Sequence, residues 1–173
     1  MILFLDIDGV LHPAPLQGRD AGILCHVNRF ESIMRDFPEW RIVISSGRRL
    51  RNGLDVLRAL FPSEDIATRI VGMTPEIALT TTFWRQREIE QYLDNTNQKT
   101  IPWVALDDHA GYFTPGLPNL VLCNMTMGID DVVEAQLRYK LSGLGLKAEH
   151  MNDVVNIRAS SANMSMPAHR RVW

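Results

Sequence analysis

Short apolar runs, each too brief for a helix and each ending on a small polar or acidic residue, constrain this chain most. Ile2-Leu3-Phe4-Leu5 runs into Asp6, Arg41-Ile42-Val43-Ile44 into Ser45, and Trp103-Val104-Ala105-Leu106 into Asp107. Runs of that length predict buried strands over 2–6, 41–45 and 103–107, with another over 119–123 and a weaker one over 66–72. Between them the apolar spacing turns helical. Val27, Phe30, Ile33, Met34 and Phe37 predict a helix over 24–37 that Pro38 stops. Further helices are expected over 50–61, 82–93 and 129–141, the last capped by Gly143. Alternating strands and helices argue an α/β chain, a mostly parallel five-stranded sheet with helices on both faces. Such sheets bind ligands beyond the carboxyl ends of their strands, near the point where strand order reverses. Asp6 and Asp8, Ser45 and Ser46, and Asp107 and Asp108 all fall at such ends.

The chain has 173 residues, 46% of them hydrophobic, which suits one domain with a sizeable core. That domain is expected over 1–143. Residues 144–173, polar and weakly patterned with a basic His169-Arg170-Arg171 end, read as a C-terminal tail. A formal charge of −2 gives no global field to recruit nucleic acid or a membrane. Cys25 and Cys123 fit neither a zinc site nor a disulfide framework, and read as free, buried thiols in a reducing cytoplasm. The first apolar run is too short for a signal peptide, and no stretch approaches the ~20 apolar residues of a membrane span. The expectation is a soluble cytoplasmic protein without a membrane partner.

Two carboxylates at the end of a buried strand repel one another, and a divalent cation or a reacting phosphate is the usual reason for placing them there. Mg²⁺ takes oxygen ligands in octahedral geometry, and Asp107-Asp108 at a second strand end would supply more of them. Ser45-Ser46-Gly47 lies at a strand-to-helix turn, where a hydroxyl and free amides suit an anion; a simple helix cap would look the same.

Taken together, Phe-Leu-Asp-Ile-Asp-Gly-Val-Leu-His-Pro, Ile-Val-Ile-Ser-Ser-Gly-Arg-Arg and Trp-Val-Ala-Leu-Asp-Asp resemble the motifs of the haloacid dehalogenase (HAD) superfamily. More narrowly they resemble the small HAD domains of bacterial Swiss Army knife RNA-repair proteins. The resemblance covers about residues 1–141 and implies a Rossmann-like three-layer α/β/α fold and Mg²⁺-dependent phosphatase chemistry. It implies Asp6 as nucleophile and Asp8 as proton donor and acceptor. Asp6, Asp8, Asp107 and Asp108 would hold Mg²⁺, with Asp8 offering its backbone carbonyl. Ser46, Gly47 and Arg85 would hold the phosphoryl group. Ser46 is favoured over Ser45 by the family's Ser/Thr-Gly-Arg motif, and Arg85 over Arg87 by an Arg-x-x-Glu-Ile pattern. Lys99, near the fourth strand, sits in the wrong place for that cation.

The spacing leaves no room for a large cap domain: 36 residues separate Asp8 from Ser45 and 60 separate Ser46 from Asp107. An open site suits a nucleotide or an RNA or DNA end phosphate, unless oligomerisation supplies cover. Arg48, Arg49, Arg51 and Arg58 form a basic row that would steer a polyanion, or simply a solvated face. Arg19 and His12 are candidates for substrate contact, and His12 and Trp84 for stacking on a base or for ordinary packing. Two other readings stay open, a phosphotransferase on a small phosphometabolite and a non-catalytic HAD-fold binding module.

Overall fold

Every residue of β1 (Ile2–Leu5) is buried, and its side chains alternate between two separate cores. Leu3 and Leu5 join one; Ile2 and Phe4 join the other. That period of two is what a strand covered on both faces must show. The computed structural model describes residues 1–14, 23–78 and 82–143. β1 is flanked by β2 (Arg41–Ile44) and β4 (Trp103–Asp107), and these by β3 (Ile70–Met73) and β5 (Leu120–Leu122). All pairings are parallel, in the order β3-β2-β1-β4-β5.

On one face lie α1 (Val27–Arg35), α2 (Leu54–Arg58), α3 (Glu64–Ala67) and α5 (Asp131–Leu141), packing Phe30, Met34, Leu57, Ile66 and Leu137 against Leu3, Ile42 and Leu106. On the other face α4 (Trp84–Asn95) sets Ile89 and Leu93, with Phe113, against Phe4, Val43 and Ala105. This is a Rossmann-like three-layer α/β/α fold, and no cap domain occurs among the described residues. The chain runs outward from β1 to β2 and β3, then returns to β4 on the other side of β1. Strand order therefore reverses between β1 and β4, and the crevice at their carboxyl ends is the place such sheets reserve for ligands.

The fourth strand has its expected bounds, while others differ for local reasons. The helix expected over 50–61 is broken. Gly47–Leu50 forms a 3₁₀ turn, Gly53 adopts extended backbone, and only Leu54–Arg58 is α-helical. Asn52-Gly53 is a turn dipeptide, and the Asn52 amide donates to the Arg48 carbonyl (2.8 Å) in place of a continued helix. Ile66, expected in a strand, sits in α3. Ser63-Glu64-Asp65 is a helix-start sequence, and the strand begins only at Ile70. Cys25 is exposed and Cys123 buried, so only one of the two thiols expected inside is there; Cys25 lies just ahead of α1, outside its apolar stripe. Gly143 adopts positive φ directly after α5, as a helix end favours. No helix among the described residues is long and apolar enough to cross a membrane. Arg19 and the tail 144–173 lie outside the described residues.

Candidate active site

Asp6 follows β1 directly and stays laced to β4, its amide donating to the Leu106 carbonyl at 3.0 Å. Its own Oδ1 accepts from the Ile7 amide at 2.8 Å. Asp107 ends β4, and its Oδ1 accepts from the His109 amide at 2.9 Å. Pairing of β1 with β4 thus brings the two acids side by side at the switch point. Asp108 completes the group: Asp6, Asp107 and Asp108 each place one oxygen within 4.8 Å of the others. Gly9 makes this approach feasible. It takes φ +74°, and a Cβ there would overlap the Asp108 carboxylate.

Burial, and then the charge of Asp6, push the Asp107 carboxyl well above the ordinary carboxylate range. The same two causes raise Asp108. Asp107 Oδ2 is buried without a hydrogen-bond partner. An all-oxygen donor set carrying mutual repulsion and an orphaned buried oxygen fits a hard divalent cation, and suits Mg²⁺ or Ca²⁺ better than softer metals.

Asp8 lies apart from these three. Its carboxylate is gripped by Arg48, whose Nε stands 3.0–3.1 Å from both oxygens and whose Nη2 lies 2.7 Å from Oδ1. His12 Nε2 stands 3.1 Å from the same Oδ1. The Asp8 carboxylate is thus committed to Arg48, which agrees with an Asp8 that would offer a metal its backbone carbonyl rather than its side chain. Burial pushes Asp8 up, but the bonds and charge of Arg48, helped by His12, hold it below the usual range. His12, a candidate for substrate contact or for ordinary packing, is fully buried beside Asp8, and that burial lowers its imidazole despite the neighbouring carboxylate.

The two candidate cations separate clearly. Arg85, in the first turn of α4, is buried with Nε 3.6 Å from Asp107 Oδ2, too long for a hydrogen bond. Its Nε and Nη1 have no hydrogen-bond partner. A guanidinium this buried and this poorly satisfied beside the acids is poised for an anion. Arg87 points to solvent and pairs with Glu90 at 3.1 Å. Phe83, just ahead of α4, sits at φ +56°, a strained conformation for a bulky residue, where the chain turns into the helix.

Ser45 and Ser46 are both buried at the end of β2. Ser46 caps the 3₁₀ turn, its Oγ accepting from the Arg48 amide at 3.4 Å. Because Gly47–Leu50 is a single turn, the helix-terminus argument for an anion does not hold here; the hydroxyls and local amides remain. Gly47 has open space where a Cβ would stand.

One network escaped sequence reasoning. Arg49 Nη2 pairs with Glu88 Oε1 at 2.5 Å, both side chains buried. Arg49 also donates to the carbonyls of Ser45 (2.8 Å), Ser46 (3.0 Å) and Thr74 (2.9 Å). Glu88 Oε2 lies 4.0 Å from Arg85. Thus the serine turn, the end of β3 and the first turn of α4 are tied through one buried ion pair, and breaking such a pair costs about 3–5 kcal/mol. The helical spacing of Arg85, Glu88 and Ile89 was a visible signal for Glu88; nothing local pointed to Arg49 as its partner. The basic row is corrected accordingly: Arg49 is buried, Arg48 clamps Asp8, and Arg58 bonds Asp55 and the Ile70 carbonyl. Only Arg51 of the four is well exposed, so no free basic face exists there.

A family model described as "HAD domain in Swiss Army Knife RNA repair proteins" matches residues 2–133. No curated protein and no solved structure matches the chain.

Proposed function

The chain belongs to the HAD domains of Swiss Army Knife RNA repair proteins, and from that premise we propose that it is a Mg²⁺-dependent phosphomonoesterase working through an aspartyl-phosphate. The observation that carries this reading is the acidic trio Asp6, Asp107 and Asp108 at the switch point, with the unsatisfied Arg85 guanidinium beside it. A cation held by the trio would neutralise charge on the phosphoryl oxygens.

Asp6 Oδ attacks phosphorus and the bond to the leaving oxygen breaks, while Arg85 and Ser46 hold the phosphoryl oxygens. Asp8 gives a proton to the leaving oxygen. Water then attacks the aspartyl-phosphate and returns a proton to Asp8, freeing inorganic phosphate and Asp6. Arg48 holds Asp8 ionised, ready as a base. The acid role requires that a substrate phosphate draw the Arg48 guanidinium away, after which Asp8 can carry a proton.

The RNA-repair context of the family and the absence of a cap among the described residues favour a nucleotide or a nucleic-acid end phosphate as substrate. The catalytic unit is 1–143, with 144–173 a tail. Two unpaired cysteines suit a reducing compartment such as the cytoplasm.

The test is phosphate release from glycerol phosphate, 5′- and 3′-nucleotides and end-phosphorylated oligonucleotides, with Mg²⁺ and with chelator. Turnover that needs the metal and falls at least ~10³-fold in Asp6→Asn is the expected result, given the size of single catalytic-group effects. Turnover that survives Asp6→Asn would remove the covalent route.

A further inference from the structure

Beside the acids, three aromatic rings cluster at the surface; Tyr112 leans on the second core, and the phosphoryl chemistry described above uses none of them. His109 lies flat on Tyr112, with centroids 3.7 Å apart and planes within 5°. Tyr112 in turn meets Trp84 at 4.3 Å and 50°. His109 is exposed, while Tyr112 and Trp84 are half-buried.

We propose that this Trp84–Tyr112–His109 stack is a platform for the nucleobase of the nucleotide whose phosphate enters the site. The inference rests on the phosphomonoesterase reading and names the substrate class of that same site. Three observations carry it. Both ends of the stack are anchored on the reaction centre: the Arg85 guanidinium lies 4.7 Å over the Trp84 ring, and the His109 amide bonds Asp107 Oδ1. The rings are also preformed. Ala110–Tyr112 is a 3₁₀ turn entered from His109, and such a turn eclipses side chains three apart, which lays His109 over Tyr112. The Thr114 amide donates to Gln86 Oε1 at 2.9 Å, tying that turn to α4 and its Trp84. Finally, the His109 ring is exposed, while Phe113 is buried and Tyr112 leans on the second core, so the turn is secured without the His109 ring. An exposed ring already stacked on one face presents the other to a planar partner, and any base has a π-face to offer. A base stacked there would lie beyond the arginine that grips its phosphate, the order in which a nucleotide presents its parts.

The test pairs a binding signal with a kinetic one. In the Mg²⁺-loaded protein and in Asp6→Asn, the His109 ring protons, identified by their loss in His109→Phe, are followed by NMR during titration with AMP, with glycerol phosphate, and with a short oligonucleotide phosphorylated at one end. A stacked base moves them upfield, and glycerol phosphate does not. Kinetically, the ratio of kcat/KM for AMP to that for glycerol phosphate falls about tenfold in His109→Ala and recovers in His109→Phe, as expected for one stacking contact. A response to the oligonucleotide but not to AMP assigns the platform to strand ends. An upfield shift without turnover of any phosphomonoester leaves the platform standing and removes the phosphatase reading. Saturable AMP binding with unmoved His109 protons and an unchanged ratio overturns the proposal.

Discussion

Asp108 and Gly9 show how tightly single residues are set. Asp108 is half-buried and repelled by Asp6, so without a cation its charge opposes folding. Asp108→Asn is expected to raise the melting temperature in chelator by roughly 1–3 °C, a modest gain because the group is partly screened. It should also shrink the rise that Mg²⁺ produces in the wild type. Thermal melts with and without metal decide this, and a lower melting temperature in chelator would contradict the repulsion argument. Gly9→Ala acts in the other direction. It puts a side chain at φ +74° and into the space of the Asp108 carboxylate, so a loss of roughly 1–3 kcal/mol in urea titrations is expected. Mg²⁺ affinity measured by calorimetry should fall as Asp108 is displaced. Arg85, favoured by the Arg-x-x-Glu-Ile pattern, is the buried one of the two, four residues before Ile89 on the inward face of the helix, while Arg87 is exposed.

Elements depend on side chains that reach across to them. The end of α1 is held by Arg69, which donates to the carbonyls of Met34 (2.7 Å), Phe37 (2.6 Å) and Trp40 (2.6 and 3.1 Å). Met34 lies in the last turn of α1, and Phe37 and Trp40 follow it on the way into β2, so one guanidinium ties the helix end to the start of the strand. Arg69→Ala should therefore cost about 2–3 kcal/mol, read from chemical denaturation. Arg69→Lys should recover little of it, because a single ammonium cannot serve three carbonyls as the planar fork does. Glu31 has a similar task, its carboxylate accepting from the Ser63 hydroxyl (2.5 Å) and amide (3.1 Å) where α3 begins. This is why Ser63-Glu64-Asp65 starts a helix of only one turn and why a strand reading failed there. Such a short helix stands on a partner from α1 rather than on its own propensity. The broken helix at Asn52-Gly53 was readable from turn chemistry, whereas the Glu31–Ser63 and Arg69 contacts were not, since their partners lie on other elements.

Across the whole molecule, the strand order β3-β2-β1-β4-β5 puts Asp6 beside Asp107 and leaves a like-charged cluster at the crevice. A cation bound only by the folded state stabilises it by mass action, about 2.7 kcal/mol at a hundred times its Kd. Adding Mg²⁺ should therefore raise the melting temperature in a concentration-dependent way, chelator should reverse the rise, and Asp6→Asn should blunt it. A melting temperature indifferent to Mg²⁺ at every concentration would argue against a metal at this trio. By itself, the sequence determined four of the five strands and the acids at their ends, because burial periodicity and residue chemistry are local properties of the chain. It also identified the family, because the motifs are contiguous. The tertiary structure alone decided that Asp6, Asp107 and Asp108 converge while the Asp8 carboxylate turns to Arg48 and His12. It alone paired Arg49 with Glu88 and laid Tyr112 against Trp84. Apart from His12, four residues after Asp8, those contacts join elements far apart in the chain, and only strand order and helix packing bring them within bonding distance.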